Sequence, residues 1–184
     1  MSQHPTTLTD PKAICAHSLE IMADGDPADF EALVHPEAID REESGPLATR
    51  GTGPAAFHAI AVWLRGAFSD LRWDVHHMAA DSDLIAIHST WSGRHVGPFV
   101  TYDNAGAVTQ AMPPTGKTFA ATQSHWFRFA DGKIIEHWAN RDDLAMAQQL
   151  GWIPPSPRYL ARMALAKHRA RTAARKRSLI PPVN

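Results

Sequence analysis

The hydrophobic rhythm of the chain changes once, near residue 70, and that change limits the fold more than any other feature. Before it, apolar residues recur at helical spacing. After it, they alternate with polar ones at the period of a half-buried strand. Phe57, Ile60, Trp63 and Leu64 form a helical stripe in a segment that opens at Gly53-Pro54 and runs to about Phe68. Leu71, Trp73 and Val75 then alternate with Arg72, Asp74 and His76, and Ile85, Ile87, Ser89 and Trp91 alternate with Ala86, His88 and Thr90. Helices first and strands afterwards predict an α+β domain, not a repeating βαβ chain. The order alone leaves two arrangements open: a curved antiparallel sheet wrapped around the helices, or a flat open sheet with helices on one face.

Turn and cap residues mark the other boundaries. Asp10-Pro11 opens a first helix containing Ile14, Leu19, Ile21 and Met22, and Gly25 ends it. Asp26-Pro27 opens a second, with Phe30, Leu33 and Val34 as core candidates, until His35-Pro36 breaks it. Residues 42–53 read as a loop. Phe99 to Gln110 reads as a hairpin with Asp103-Asn104-Ala105-Gly106 at its tip. A long strand from Lys117 to Phe129, the tight turn Asp131-Gly132 and a return strand from Ile134 to Asn140 form another. A short helix from Asp143 to Leu150 closes the domain at Gly151. The division is residues 1–8 as a disordered lead, 9–152 as the domain and 153–184 as a helical, basic tail.

Charge is distributed unevenly. Residues 1–157 hold 10 basic and 19 acidic side chains, whereas from Arg158 to Arg177 there are eight basic residues and no acidic one. Such a tail fits a solubilising extension or a strap across an acidic surface. No aromatic residues interleave with its charges, which argues against a nucleic-acid reader. The single cysteine, Cys15, has no internal disulfide partner, and Met1 to Lys12 lacks the apolar run of a secretory leader. A cytoplasmic location is therefore expected. No apolar stretch reaches membrane-spanning length.

Three stretches stand out: Gly93-Arg94-His95-Val96-Gly97-Pro98-Phe99; Pro114-Thr115-Gly116-Lys117; and His125 to Trp138 through Asp131-Gly132, followed by Asp142 and Gln149-Leu150-Gly151. In this order they resemble the SnoaL-like polyketide cyclases, or ester cyclases. These belong to the cone-shaped fold of nuclear transport factor 2 and the steroid isomerases. The resemblance covers roughly residues 10–152. It implies N-terminal helices packed on a strongly curved antiparallel sheet around a pocket, a hydrophobic carbonyl-containing substrate, and ring closure by intramolecular aldol condensation without metal or cofactor. It also implies a homodimer. By the same resemblance Asp142 takes the position of the general acid and base, Gln123 and His125 stand for a Gln-x-His substrate-holding pair, and His95 lies in a stretch that faces the pocket. The fold also hosts isomerases, dehydratases, hydrolases and plain binders, so a non-catalytic binding or interaction module is the alternative.

The residues carry their own reading beside this. On a regular last strand Ile134, Glu136, Trp138, Asn140 and Asp142 share one face, and indole with carboxylates suits a pocket wall. A carboxylate beside an aromatic wall is desolvated and becomes a stronger base. The competing role for Asp142 is to cap the helix that follows, and for Glu136 to pair with Arg128. Trp138 and Trp91 are the indoles best placed to line a pocket for a flat ligand, while the other tryptophans serve packing. The 11 histidines lack metal-site spacing, so no metal is expected.

Overall fold

Asp10 and Asp26 start the fold by satisfying free amides at two helix N-termini. In the computed structural model, which describes residues 10–178 apart from residue 43, Asp10 accepts from the Lys12 amide at 3.1 Å and leads into α1, Pro11–Asp24. Asp26 accepts from Ala28 N at 2.8 Å while Asp29 accepts from Asp26 N at 2.8 Å, a reciprocal box opening α2, Pro27–Leu33. The carbonyls at the far end of α1 are met by one guanidinium. Arg65 of α3, Gly53–Ala67, donates to Met22 O at 2.9 Å, to Gly25 O at 2.9 Å and to Ile21 O. That ties α1 to α3 and holds the loose end of α1 over the sheet. Residues 1–8 lie outside the described residues.

Seven strands follow the chain: β1, Val34–Asp40; β2, Phe68–Asp81; β3, Leu84–His95; β4, Phe99–Tyr102; β5, Val108–Met112; β6, Thr118–Ala130; and β7, Lys133–Arg141. Five make a sheet in the order β1-β7-β6-β3-β2, and β4 and β5 form a separate two-stranded ribbon. The chain is an α+β protein whose curved sheet encloses a cavity beneath the helices. The expected curved antiparallel sheet is present, and β1 adds to its edge parallel to β7. One expectation needs correction: α2 ends at Leu33, and Val34, His35 and Pro36 belong to β1, a strand where the sequence predicted the end of a helix.

Bulges bend the sheet and reset its faces. One between Val75 and His77 of β2 leaves His76 as the extra residue, so His77 pairs with the exposed His88 and Met78 comes to the core opposite Ile87. Val75, paired with Ser89, keeps the face of Trp73, as the alternation predicts, but is 38% exposed. Two apolar clusters fill the space between layers. Ile14, Leu19, Phe30, Leu33, Ile85, Ile87, Phe127 and Ile134 make one; Ile60, Leu64, Phe68, Trp91, Phe119, Met146 and Leu150 make the other. Cys15 lies within the first, its thiol pushed up to about 12 by burial with Asp10 adding, which suits a packing residue.

The chain closes through α4, Asp143–Leu150, and α5, Pro157–Ser178. Gln149 binds the backbone of Ala120 both ways, accepting from its N–H at 2.8 Å and donating to its carbonyl at 2.9 Å. Tyr159 and Arg162 of α5 donate to the carbonyls of Pro113 and Pro114, and Arg171 to that of Val108. The helix is continuous to Ser178 and is anchored at Arg171. No helix among the described residues is long and apolar enough to cross a membrane.

Candidate active site

The cavity, ≈ 240 Å³, lies between the three N-terminal helices and the inner face of the sheet. Leu19, Met22, Phe30, Phe57, Ile60, Leu64, Phe127 and Ile134 make one end apolar. Asp40, Arg41, Glu42, Gln123, His125, His137 and Arg141 make the other polar.

Strand β6 supplies the most enclosed polar groups. Period-2 geometry turns Gln123, His125 and Phe127 to one face, and Gln123 and His125 are 4% and 5% exposed. Strand β7 does not stay regular. Phe129 pairs with Ile134 but Arg128 pairs with Glu136, so Ile135 is an extra residue without a partner. This bulge puts His137, Ala139 and Arg141 on the cavity side together with Ile134, and turns Glu136 and Asn140 away. Asp40 of β1 is the register partner of His137.

These residues form an unbroken line of hydrogen bonds. Trp73 Nε1 donates to Gln123 Oε1 at 3.3 Å, and the same oxygen lies 2.8 Å from His125 Nε2. His125 Nδ1 lies 3.0 Å from His137 Nε2, and His137 Nδ1 lies 2.7 Å from Asp40 Oδ2. Asp40 Oδ1 accepts from Glu42 N at 2.8 Å. Burial holds the His125 imidazole well below its ordinary range, with the charges of His137 and Arg141 acting in the same direction. Arg141 and Glu42 are paired side by side. Burial opposes both charges, but the partner outweighs it, so the Glu42 carboxyl is lowered and the Arg141 guanidinium raised.

The expected site residues separate into two groups. Gln123, His125 and Trp91 line the cavity, and Trp91 is stacked on Trp73 with centroids 5.9 Å apart. Trp138 borders it, but its ring lies against Trp126 with Arg41 at 4.6 Å from its centroid. The pocket role of Asp142 is corrected. Its carboxylate accepts from Ala145 N at 2.9 Å as the N-cap of α4, it is exposed, and it does not line the cavity. The bulge at Ile135 is the cause, since the face shared with Trp138 points outward. For the same reason Asn140 is exposed and Glu136 is spent on Arg41 and Arg128. His95 is likewise corrected: it is buried between Phe68 and Trp152, 3.3 Å from the Thr115 hydroxyl, and outside the lining.

Sequence reasoning missed Asp40, His137, Arg141 and Trp73. Asp40 had a usable signal: Val34, Ala38 and Asp40 share the parity of a half-buried strand. His137 had none, because only the bulge brings it inward.

Two buried histidines make stability depend on pH. His95 is lowered by burial from 6.5 to about 4, and His125 is lowered too. Both stay neutral in the fold while the unfolded chain takes up protons below about 6.5, so stability is full above that pH and falls as acid is added. Each contributes a slope of at most ~1.4 kcal/mol per pH unit. Thermal melts should show Tm falling from pH 6.5 toward 4.5, with a shallower slope in His95→Gln. A Tm independent of pH over that window would contradict the burial of both rings.

Known proteins resemble the chain at both levels. Residues 14–150 match the sequence model of the SnoaL-like polyketide cyclase family. Nogalonic acid methyl ester cyclase of Streptomyces nogalater is 30% identical over 126 residues, 67% of this chain and 84% of that protein. Aklanonic acid methyl ester cyclase DnrD of Streptomyces peucetius is 34% identical over 106 residues, 57% of this chain and 66% of its own length. Among solved structures, TsrD from Streptomyces laurentii superposes with a TM-score of 0.58 at 24% identity, covering 82% of this chain and 98% of that one. IdmH from Streptomyces antibioticus superposes at 0.57 and 25% identity, covering 77% and 99%. With most of its length matched to the family and the cavity in place beneath the helices, the chain belongs to the SnoaL-like polyketide cyclases.

Proposed function

We propose that the protein closes a ring by intramolecular aldol condensation on a hydrophobic polyketide, without metal or organic cofactor. The supporting observation is the placement of His125 and Gln123: two enclosed polar side chains, at hydrogen-bonding distance, at the polar end of an otherwise apolar cavity. Burial keeps the imidazole neutral and so able to accept a proton. The Gln123 amide nitrogen has no protein partner among the described residues and can donate to a substrate carbonyl. A well-placed donor of that kind stabilises a developing oxyanion by roughly 3 kcal/mol. An aldol ring closure moves one proton from carbon to oxygen and needs no redox partner, so one base that returns its proton suffices.

The relatives named as cyclases of aklanonic and nogalonic acid methyl esters support a polycyclic keto-ester as substrate. Isomerisation and dehydration pass through the same enolate and are the neighbouring activities. At ≈ 240 Å³ the cavity would hold the reacting end of such a ligand and not all of it. The catalytic unit in this reading is residues 9–152, with the basic helix as an extension. The protein is taken to be cytoplasmic and, on the family likeness, a homodimer.

The experiment is direct. Purified protein is incubated with nogalonic acid methyl ester and excess EDTA, and products are followed by chromatography and mass. The expected product has unchanged mass, one additional ring and a rate indifferent to the chelator. Tight binding without turnover, for this and related keto-esters, would replace the enzyme with a binding module.

A further inference from the structure

We propose that His137 and Asp40 are positioning residues that take over the charge when His125 accepts a proton, leaving His125 Nε2 as the reacting nitrogen. This rests on the reading of His125 as the proton carrier.

Hydrogen-bond polarity fixes the proton count. An indole N–H can only donate, so the Gln123 atom facing Trp73 Nε1 is oxygen. That same oxygen faces His125 Nε2, which must therefore carry hydrogen in the resting state. A neutral His125 then presents a lone pair at Nδ1, and His137 Nε2–H donates to it. The other nitrogen of His137 meets the Asp40 carboxylate at 2.7 Å, where a proton is again required. The three groups thus hold one proton more than two neutral imidazoles and a carboxylate contain. It lies between His137 and Asp40, whose side chains are 16% and 7% exposed, and not on the more enclosed His125.

The surroundings let the charge rest there. Arg141 on β7 is paired with Glu42, and Glu136 on β7 is paired with Arg41, both partners lying in the segment that directly follows β1. Strands β6 and β2 face the line with the uncharged Gln123 and Trp73, and α1, α2 and α3 line the cavity with no charged residue. Asp40 is consequently the carboxylate left to balance His137.

Removing the extra proton reverses the line. His125 then carries hydrogen at Nδ1 and donates to His137 Nε2, while His137 Nδ1–H donates to Asp40. Only His125 Nε2 is left facing the Gln123 oxygen without a proton between them. In this form Nε2 takes the hydrogen of a substrate C–H, and the bond's electrons stay on the substrate as an enolate. The Nδ1 hydrogen of His125 passes to His137 Nε2, so positive charge moves to the pair with Asp40. Attack of the enolate carbon on the carbonyl forms the new C–C bond and leaves an alkoxide. The alkoxide takes the Nε2 hydrogen, and the His137 hydrogen returns to His125 Nδ1. The enzyme ends as it began.

Nitrogen-15 NMR of histidine-labelled full-length protein near pH 7, without substrate, reads the proton count. Expected is His137 protonated at both nitrogens and His125 protonated at Nε2 alone. Asp40→Asn can still accept from His137 but carries no charge. It should convert His137 to a neutral ring and lower kcat about 100-fold or more with an altered pH profile, at nearly unchanged Tm. Two neutral imidazoles in the wild type would overturn the proposal whatever the turnover, as would an Asp40→Asn spectrum and kcat equal to wild type. If Asp40→Asn does not fold, the wild-type spectrum decides alone. The expected spectrum with no turnover on any keto-ester would count against the enzymatic reading while leaving the proton assignment standing.

Discussion

His125→Gln should lower kcat by about 10³-fold, within the 10²–10⁴ range for loss of a general acid–base group, with KM and Tm little changed. Glutamine approximates the ring's volume and can keep a hydrogen bond to Gln123 or His137, so the wall of the cavity survives. It cannot accept and return a proton, and no other cavity-lining residue stands in the same place. Directly across from His125 on β7 is Ala139, which has no functional group. Asp142→Asn is the decisive companion. Asparagine caps a helix about as well as aspartate, and the Asp142 carboxylate is committed to Ala145 N outside the cavity. Turnover should therefore equal wild type. Steady-state kinetics on a keto-ester with both variants separates the assignments: a dead Asp142→Asn beside an active His125→Gln would return the chemistry to the end of β7.

The largest loss of stability is expected from Phe68→Ala. Phe68 sits at the junction of α3 and β2, is 2% exposed, and touches the rings of Trp91, His95, Phe99 and Phe119 at 5.3–5.5 Å between centroids. Truncating a fully packed phenylalanine costs about 3–5 kcal/mol, the lost transfer energy plus the cavity left behind. Edge-to-face contacts with Trp91 and Phe119 add to what is lost. For a chain of this size that lowers Tm by roughly 10 °C or more. Urea unfolding should show an earlier midpoint with an unchanged slope. The effect should extend to ligand binding, because Trp91 lines the cavity on one side and rests on Phe68 on the other. A loss below about 1 kcal/mol would mean that the four rings close over the gap and that this cluster is far less rigid than its packing indicates.

What could be read from residues alone was local. Asp10, Asp26, Gly151 and Asp131-Gly132 mark ends and turns because each satisfies or frees backbone groups within a few residues of itself. The change of period near residue 70 separates helices from strands for the same kind of reason, and alternation on β6 correctly puts Gln123 and His125 on one face with Phe127. Where strands are regular, as in β3 with Ile85, Ile87, Ser89 and Trp91, parity and burial agree.

The active-site assignment failed where parity was interrupted. One unpaired residue, Ile135, exchanges the two faces of β7, taking Asp142, Asn140 and Glu136 away from the cavity and bringing His137 in. A bulge is decided by how two strands match in space, and no property of Ile135 announces it. Asp40 reaches the site only because β1, 97 residues earlier than its partner His137, adds itself parallel to the edge of β7. Local preference thus determined the kinds of element and their order, since backbone energetics act over a few residues. Which polar groups meet in the cavity was left to strand pairing, since register between distant segments is set by the whole sheet packing at once.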